Sequence, residues 1–109
     1  MSAEQRLTPA AILAIIDELR ETVPEFSDIY LERPWAVASV SAASAGVVTG
    51  VRTHRSVDEA ARATAEATFH VKPLNYGNRV LAALLAHTLL SINGEETTFA
   101  ETVELVGLN

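Results

Sequence analysis

The sequence predicts an all-α fold: one compact helical domain over residues 1–109, with a short β flap. Three observations carry this. Helix start and stop signals recur along the whole chain. Alanine occurs 18 times, much of it in helix-like runs, and small side chains let helices pack closely. One stretch alone has β character, and a sheet cannot be built from a single piece. The length of 109 residues suits one domain, and the 49% hydrophobic content supplies a core.

The first helix has Thr8 as its N-cap and Pro9 at its first position, where a missing N–H is harmless. Ile12, Leu13, Ile15, Ile16, Leu19 and Val23 form its apolar stripe, and Pro24 stops it. Residues 25–33 read as a loop or a short turn of helix. Pro34 opens a second helix through Trp35, Val37, Ala38 and Val40, fading in the small residues 41–45. Residues 46–52, with two glycines and three valines, read as an extended flap or hairpin. The third helix starts at Ser56, which forms an S-x-x-E box with Glu59, and runs to about His70. Its alanines lie on nearly every side, which predicts a central helix surrounded by others. Pro73 ends it and Gly77 marks the next turn. The fourth runs from about Asn78 to Ile92, closed by Asn93-Gly94. The fifth starts at Thr98, boxed with Glu101, and ends near Gly107.

Composition excludes several functions. There is no cysteine, hence no disulfide, thiolate metal site or cysteine nucleophile. A net charge of −6 argues against nucleic acid as a partner. No apolar run reaches the length of a membrane span, and the opening MSAEQRLTP is no signal peptide. The expectation is a cytoplasmic protein with no membrane partner. No H-x-x-x-H spacing or paired carboxylate cluster suggests a metal site.

The segment Lys72-Pro-Leu-Asn-Tyr-Gly-Asn-Arg-Val80 joins the third and fourth helices. It sets Gly77 and Asn78 at a helix N-terminus, where free N–H groups and the helix dipole favour anions. Lys72 and Arg79 add positive charge. Chemistry alone thus nominates Lys72, Gly77, Asn78 and Arg79 as an anion or nucleotide-phosphate corner. The alternative is an ordinary helix–turn–helix corner.

This segment resembles the Fic/Doc (death-on-curing) family, whose motif H-P-F-x-x-G-N-x-R lies between two central helices; KPLNYGNRV aligns with it without a gap. LTPAAILAIIDEL is similar to the opening helix of Doc-like proteins. SVDEAARATAEATF is similar to the helix that leads into the motif, and LAALLAHTLLSINGEE to the helix behind it. The likeness spans roughly residues 7–106. The resemblance implies transfer of AMP or phosphate from a nucleotide, a histidine base, an acidic Mg²⁺ ligand, a Gly-Asn anion hole, a phosphate arginine and a target-aligning flap.

Pro73, Gly77 and Asn78 are kept, and Leu74 replaces the apolar Phe. Lys72 stands at the histidine, Tyr76 at the acid and Val80 at the arginine, while Arg79 matches a basic residue of Doc-like members. A lysine is ordinarily protonated at neutral pH and serves as a base only when desolvated or set beside another cation. Tyr76 is no substitute for a carboxylate on magnesium, which prefers hard, charged oxygens. Val80 carries no charge. The resemblance therefore implies a divergent Doc-like protein of bacterial toxin–antitoxin or regulatory type, keeping a phosphate corner without ordinary AMP transfer. ATP or another nucleotide is the implied ligand, without Mg²⁺, and the implied partner is an antitoxin, a regulatory protein or a second copy of the chain. Two alternatives stand: an active nucleotidyl- or phosphotransferase with a rewired motif, in which Lys72 occupies the catalytic position, and a non-catalytic helical interaction or dimerisation module.

Among other residues, His70 reads as a helix-end residue favoured by the dipole, or as a base if the helix end unwinds. His87 reads as a packed or partly exposed histidine. Arg52, His54 and Arg55 form a basic cluster that steers an anionic ligand or is a solvated loop. Trp35 and Tyr30 read as core or interface aromatics.

Overall fold

The computed structural model describes residues 5–45, 47–48, 51–52, 54 and 56–108. The fold is all-α. Among the described residues there are five α-helices: α1 Pro9–Thr22, α2 Trp35–Ala43, α3 Val57–Val71, α4 Asn78–Ile92 and α5 Phe99–Leu105. Between α2 and α3 lies a minimal antiparallel hairpin, β1 Val47–Val48 with β2 Val51–Arg52, pairing Val47 with Arg52 and Val48 with Val51. Gly46, Thr49 and Gly50 of the expected flap lie outside the described residues, as does Arg55.

α1 begins as its sequence directs. The Thr8 hydroxyl accepts from the Ala11 N–H at 3.1 Å, and Pro9 fills the first turn. Ile12, Ile16 and Leu19 are buried, an i, i+4, i+7 stripe. Val23 leaves the helix in an extended conformation, and Pro24–Phe26 make one 3-10 turn. α2 buries Ala36, Val37, Val40 and Ser41. Its terminal serines fix the chain before α1: Ser41 Oγ donates to the Leu7 carbonyl at 2.7 Å, and Ser44 Oγ accepts from the Leu7 N–H at 2.9 Å. Leu7 is buried there.

α3 and α4 share the most extensive packing in the molecule. The inner face of α3 is Ala60, Ala61, Thr64, Ala65 and Thr68. The two threonines satisfy their buried hydroxyls by donating to the carbonyls four residues back, at 2.7 and 2.8 Å. Against this small-residue face α4 sets Leu81, Ala82, Leu85, Ala86, Leu89 and Leu90, all buried in the common core. The expectation that α3 is enclosed on all sides needs correction. Arg62, Glu66 and Phe69 recur at i, i+4 and i+7 and are exposed, so one face of α3 stays open. α5 packs on α4, with the Thr98–Glu101 capping box complete and Thr102 buried.

A pairing not foreseen from sequence ties the loop before α2 to the loop before α4. Leu31 and Leu74 form an antiparallel bridge. The Arg33 N–H donates to the Pro73 carbonyl at 3.0 Å and the Asn75 N–H to the Tyr30 carbonyl at 3.2 Å.

Candidate functional site

The loop between α3 and α4 is shaped by two left-handed residues. Lys72 caps α3 at φ 49°, and Gly77 precedes α4 at φ 83°. Gly77 is required on two counts. A side chain would be strained at that φ, and a Cβ would lie 3.0 Å from the Phe26 ring. Lys72 is a non-glycine in a conformation usually left to glycine. Its main chain is held by its N–H on the Thr68 carbonyl and by Arg33 Nη1, which donates to its carbonyl at 3.0 Å.

The loop is closed from within. The Asn78 amide accepts from the Leu74 N–H at 2.9 Å and donates to the Leu74 carbonyl at 2.9 Å. This holds Leu74, only 1% exposed, as a plug in the core. Tyr76 turns back onto the 3-10 turn. Its ring stacks on Phe26 with centroids 6.1 Å apart, and its hydroxyl donates to the Glu25 carbonyl at 3.0 Å. Asn75 Oδ1 accepts from the Tyr30 N–H at 2.8 Å. The amides and the phenol of the loop thus bond to the protein itself.

The cations behave differently. Lys72 Nζ lies 5.9 Å and Arg79 Cζ 6.0 Å from the centroid of the Phe69 ring, within cation–π range. Arg79 also donates through Nη2 to the Leu108 carbonyl at 2.9 Å. Neither forms an ion pair with any described residue. No side chain caps the N-terminus of α4. Of the four residues nominated from sequence, Lys72 and Arg79 meet around one aromatic ring, whereas Gly77 and Asn78 build the turn. Phe69 was missed, although it shares a helical stripe with Arg62 and Glu66 on an otherwise alanine-rich helix.

Beside this ring a cavity of about 340 Å³ opens between α3 and the chain after α5. His70 remains in the last turn of α3 and lines it, together with Arg62, Glu66, Phe69, Arg79 and Leu108. The other histidines are tied elsewhere: His87 Nδ1 is 2.9 Å from Thr102 Oγ1, and His54 Nε2 is 2.9 Å from the Ala43 carbonyl. Trp35 is 61% exposed and Tyr30 is exposed as well, so neither belongs to the core. Among the described residues no helix is long and apolar enough to cross a membrane. Comparison of the chain with protein-family models, with curated proteins and with solved structures yields no match.

Proposed function

We propose that this chain is a divergent Doc-like domain of toxin–antitoxin or regulatory type that holds an anionic group at Lys72 and Arg79 without ordinary AMP transfer. The observation that carries the reading is the convergence of these two cations on Phe69, at 5.9 and 6.0 Å, with no carboxylate neutralising either among the described residues. The order of elements supports it too. A hairpin precedes an alanine-rich helix, the motif loop follows with an apolar plug at Leu74 and a left-handed glycine at Gly77, and a leucine-rich helix comes next.

The residues present do not fit a magnesium–nucleotide group. Tyr76 stands at the acid position with its hydroxyl engaged by Glu25, and among the described residues no three acidic or histidine side chains gather as a metal site. The Asn78 amide is engaged by Leu74 and is not free to line an anion hole. Anion affinity then rests on the two cations and on the uncapped N–H groups of α4.

Calorimetry with inorganic phosphate and with ATP, with and without Mg²⁺, tests this. Binding should weaken in Lys72→Ala and change less than about tenfold with Mg²⁺, a span of about 1.4 kcal/mol. Labelled ATP should leave no label on protein. Label transfer would instead support the rewired transferase, and absence of binding to wild type would refute the anion reading. A second reading, a helical interaction module, is favoured by the exposure of Trp35 and Tyr30, since Trp and Tyr are enriched among the residues that carry protein interfaces. Sedimentation of wild type against Trp35→Ala tests whether that surface dimerises.

A further inference from the structure

We infer that the cavity on the open face of α3 is a binding site for a small aromatic monocarboxylate. The inference goes beyond the phosphate reading: it shares Arg79 and the Phe69 ring with it but adds Arg62 and Glu66, which lie outside the motif loop, so it does not depend on the Doc-like assignment. Lys72 does not line this cavity; Arg62, Glu66, Phe69, His70 and Arg79 do.

The chemistry of the walls defines the ligand. Arg62 engages one nitrogen, Nε, on the Leu105 carbonyl at 3.2 Å, and Arg79 engages Nη2 on the Leu108 carbonyl at 2.9 Å. Their remaining guanidinium N–H groups have no partner among the described residues. Two anchored guanidinium groups with free donors suit the planar fork of a carboxylate, and anchoring reduces the entropy lost on binding. Phe69, 41% exposed, with Ala65, Val106 and Leu108, offers an apolar wall and a ring for a flat, apolar body. A cavity of about 340 Å³ lies at the lower end of the range of about 300–1,000 Å³ usual for ligand sites, so the ligand is compact.

Glu66 decides between anions. Glu66 lines the same cavity and forms no ion pair with Arg62, although an i, i+4 spacing would permit one. A fixed negative charge there repels a dianion more than a monoanion, which favours a carboxylate over a phosphate monoester.

The test is titration of the whole chain, followed by NMR, with four probes: benzoate, acetate, benzyl alcohol and phenyl phosphate. Benzoate should bind at least about tenfold more tightly than acetate, which lacks the ring, and than benzyl alcohol, which lacks the charge. Phe69→Leu should remove the preference for benzoate over acetate, and Arg62→Gln should weaken benzoate. Lys72→Ala should weaken inorganic phosphate by a larger factor than benzoate, because Lys72 is outside the cavity lining, and this separates the site from the anion reading above. Glu66→Gln, an exposed change with little bearing on folding, should narrow the gap between benzoate and phenyl phosphate. Equal affinity for benzoate and acetate, no benzoate binding at millimolar concentration, or a gap untouched by Glu66→Gln would overturn the assignment.

Discussion

The Asn78 amide is the most informative single target, because a structural role and a ligand-binding role for it predict opposite results. In the structure it exchanges two hydrogen bonds with the Leu74 main chain, both at 2.9 Å and both part-buried. A typical intramolecular hydrogen bond contributes about 1 kcal/mol net, so Asn78→Ala removes about 2 kcal/mol. Any burial of the orphaned Leu74 N–H and carbonyl adds to that. With a urea slope of about 1–3 kcal/mol per molar for a small domain, the midpoint should fall by about 1 M. Asn78→Asp sharpens the experiment. A carboxylate still accepts from the Leu74 N–H but turns a second acceptor against the Leu74 carbonyl, so at neutral pH it should be no better than alanine. Urea denaturation followed by circular dichroism measures all three proteins. An unchanged midpoint in Asn78→Ala, with phosphate binding abolished, would refute the reasoning: the amide would then serve a ligand and not the loop.

Two further outcomes follow from the same geometry. Gly77→Ala should destabilise more than Gly94→Ala. Both glycines have positive φ, but a Cβ at Gly77 meets Phe26 at 3.0 Å whereas nothing lies within 4 Å at Gly94. Thermal melts should show the Gly94 change costing about 1 kcal/mol and the Gly77 change distinctly more. For the start of α5, hydrogen bonds from the Thr98 backbone N–H and from its side chain hold the Glu101 carboxyl below its ordinary value. A depressed folded value stabilises above the unfolded value and is lost as pH falls through the folded one, so α5 should fray on acidification. Amide exchange at Thr102 should report that loss, and Glu101→Gln should abolish its pH dependence.

Local signals proved legible in the sequence where the physics is local. Thr8, Ser56 and Thr98 each accept the N–H that their position predicts, at 3.1 Å in every case. The periodicity of α1 and α4 marks the centre of their buried faces because an amphipathic stripe needs only its own helix to be read, although Leu13, expected in the α1 stripe, lies at its edge and is exposed. The Leu31–Leu74 bridge was not legible. It joins two short segments 43 residues apart, neither with strand alternation. The sequence signs are that Arg33 and Lys72 each precede a proline, which favours extended backbone without naming a partner. At the site, Gly77 was legible as a turn residue, whereas the Asn78 amide reads equally well as a loop closure or an anion ligand until Leu74 is seen against it.

The cavity has the same origin as the core, which is why no motif announces it. Packing α4 against α3 requires small residues on the inner side of α3, and alanine and threonine supply them. The polar and bulky residues of α3 must then gather on the opposite face, so Arg62, Glu66, Phe69 and His70 lie together as a consequence of packing. The left-handed turns at Lys72 and Gly77 reverse the chain within a few residues, so Arg79, in the first turn of α4, faces the last turn of α3 and reaches Phe69. The chain after α5 closes the remaining side, held by Arg62 at Leu105 and by Arg79 at Leu108. Each arginine therefore both fastens the wall and lines the space beside it. A substitution at either position should loosen the wall as well as weaken a bound anion. Glu66, which makes no such bond to the wall, is for that reason the cleaner probe of binding.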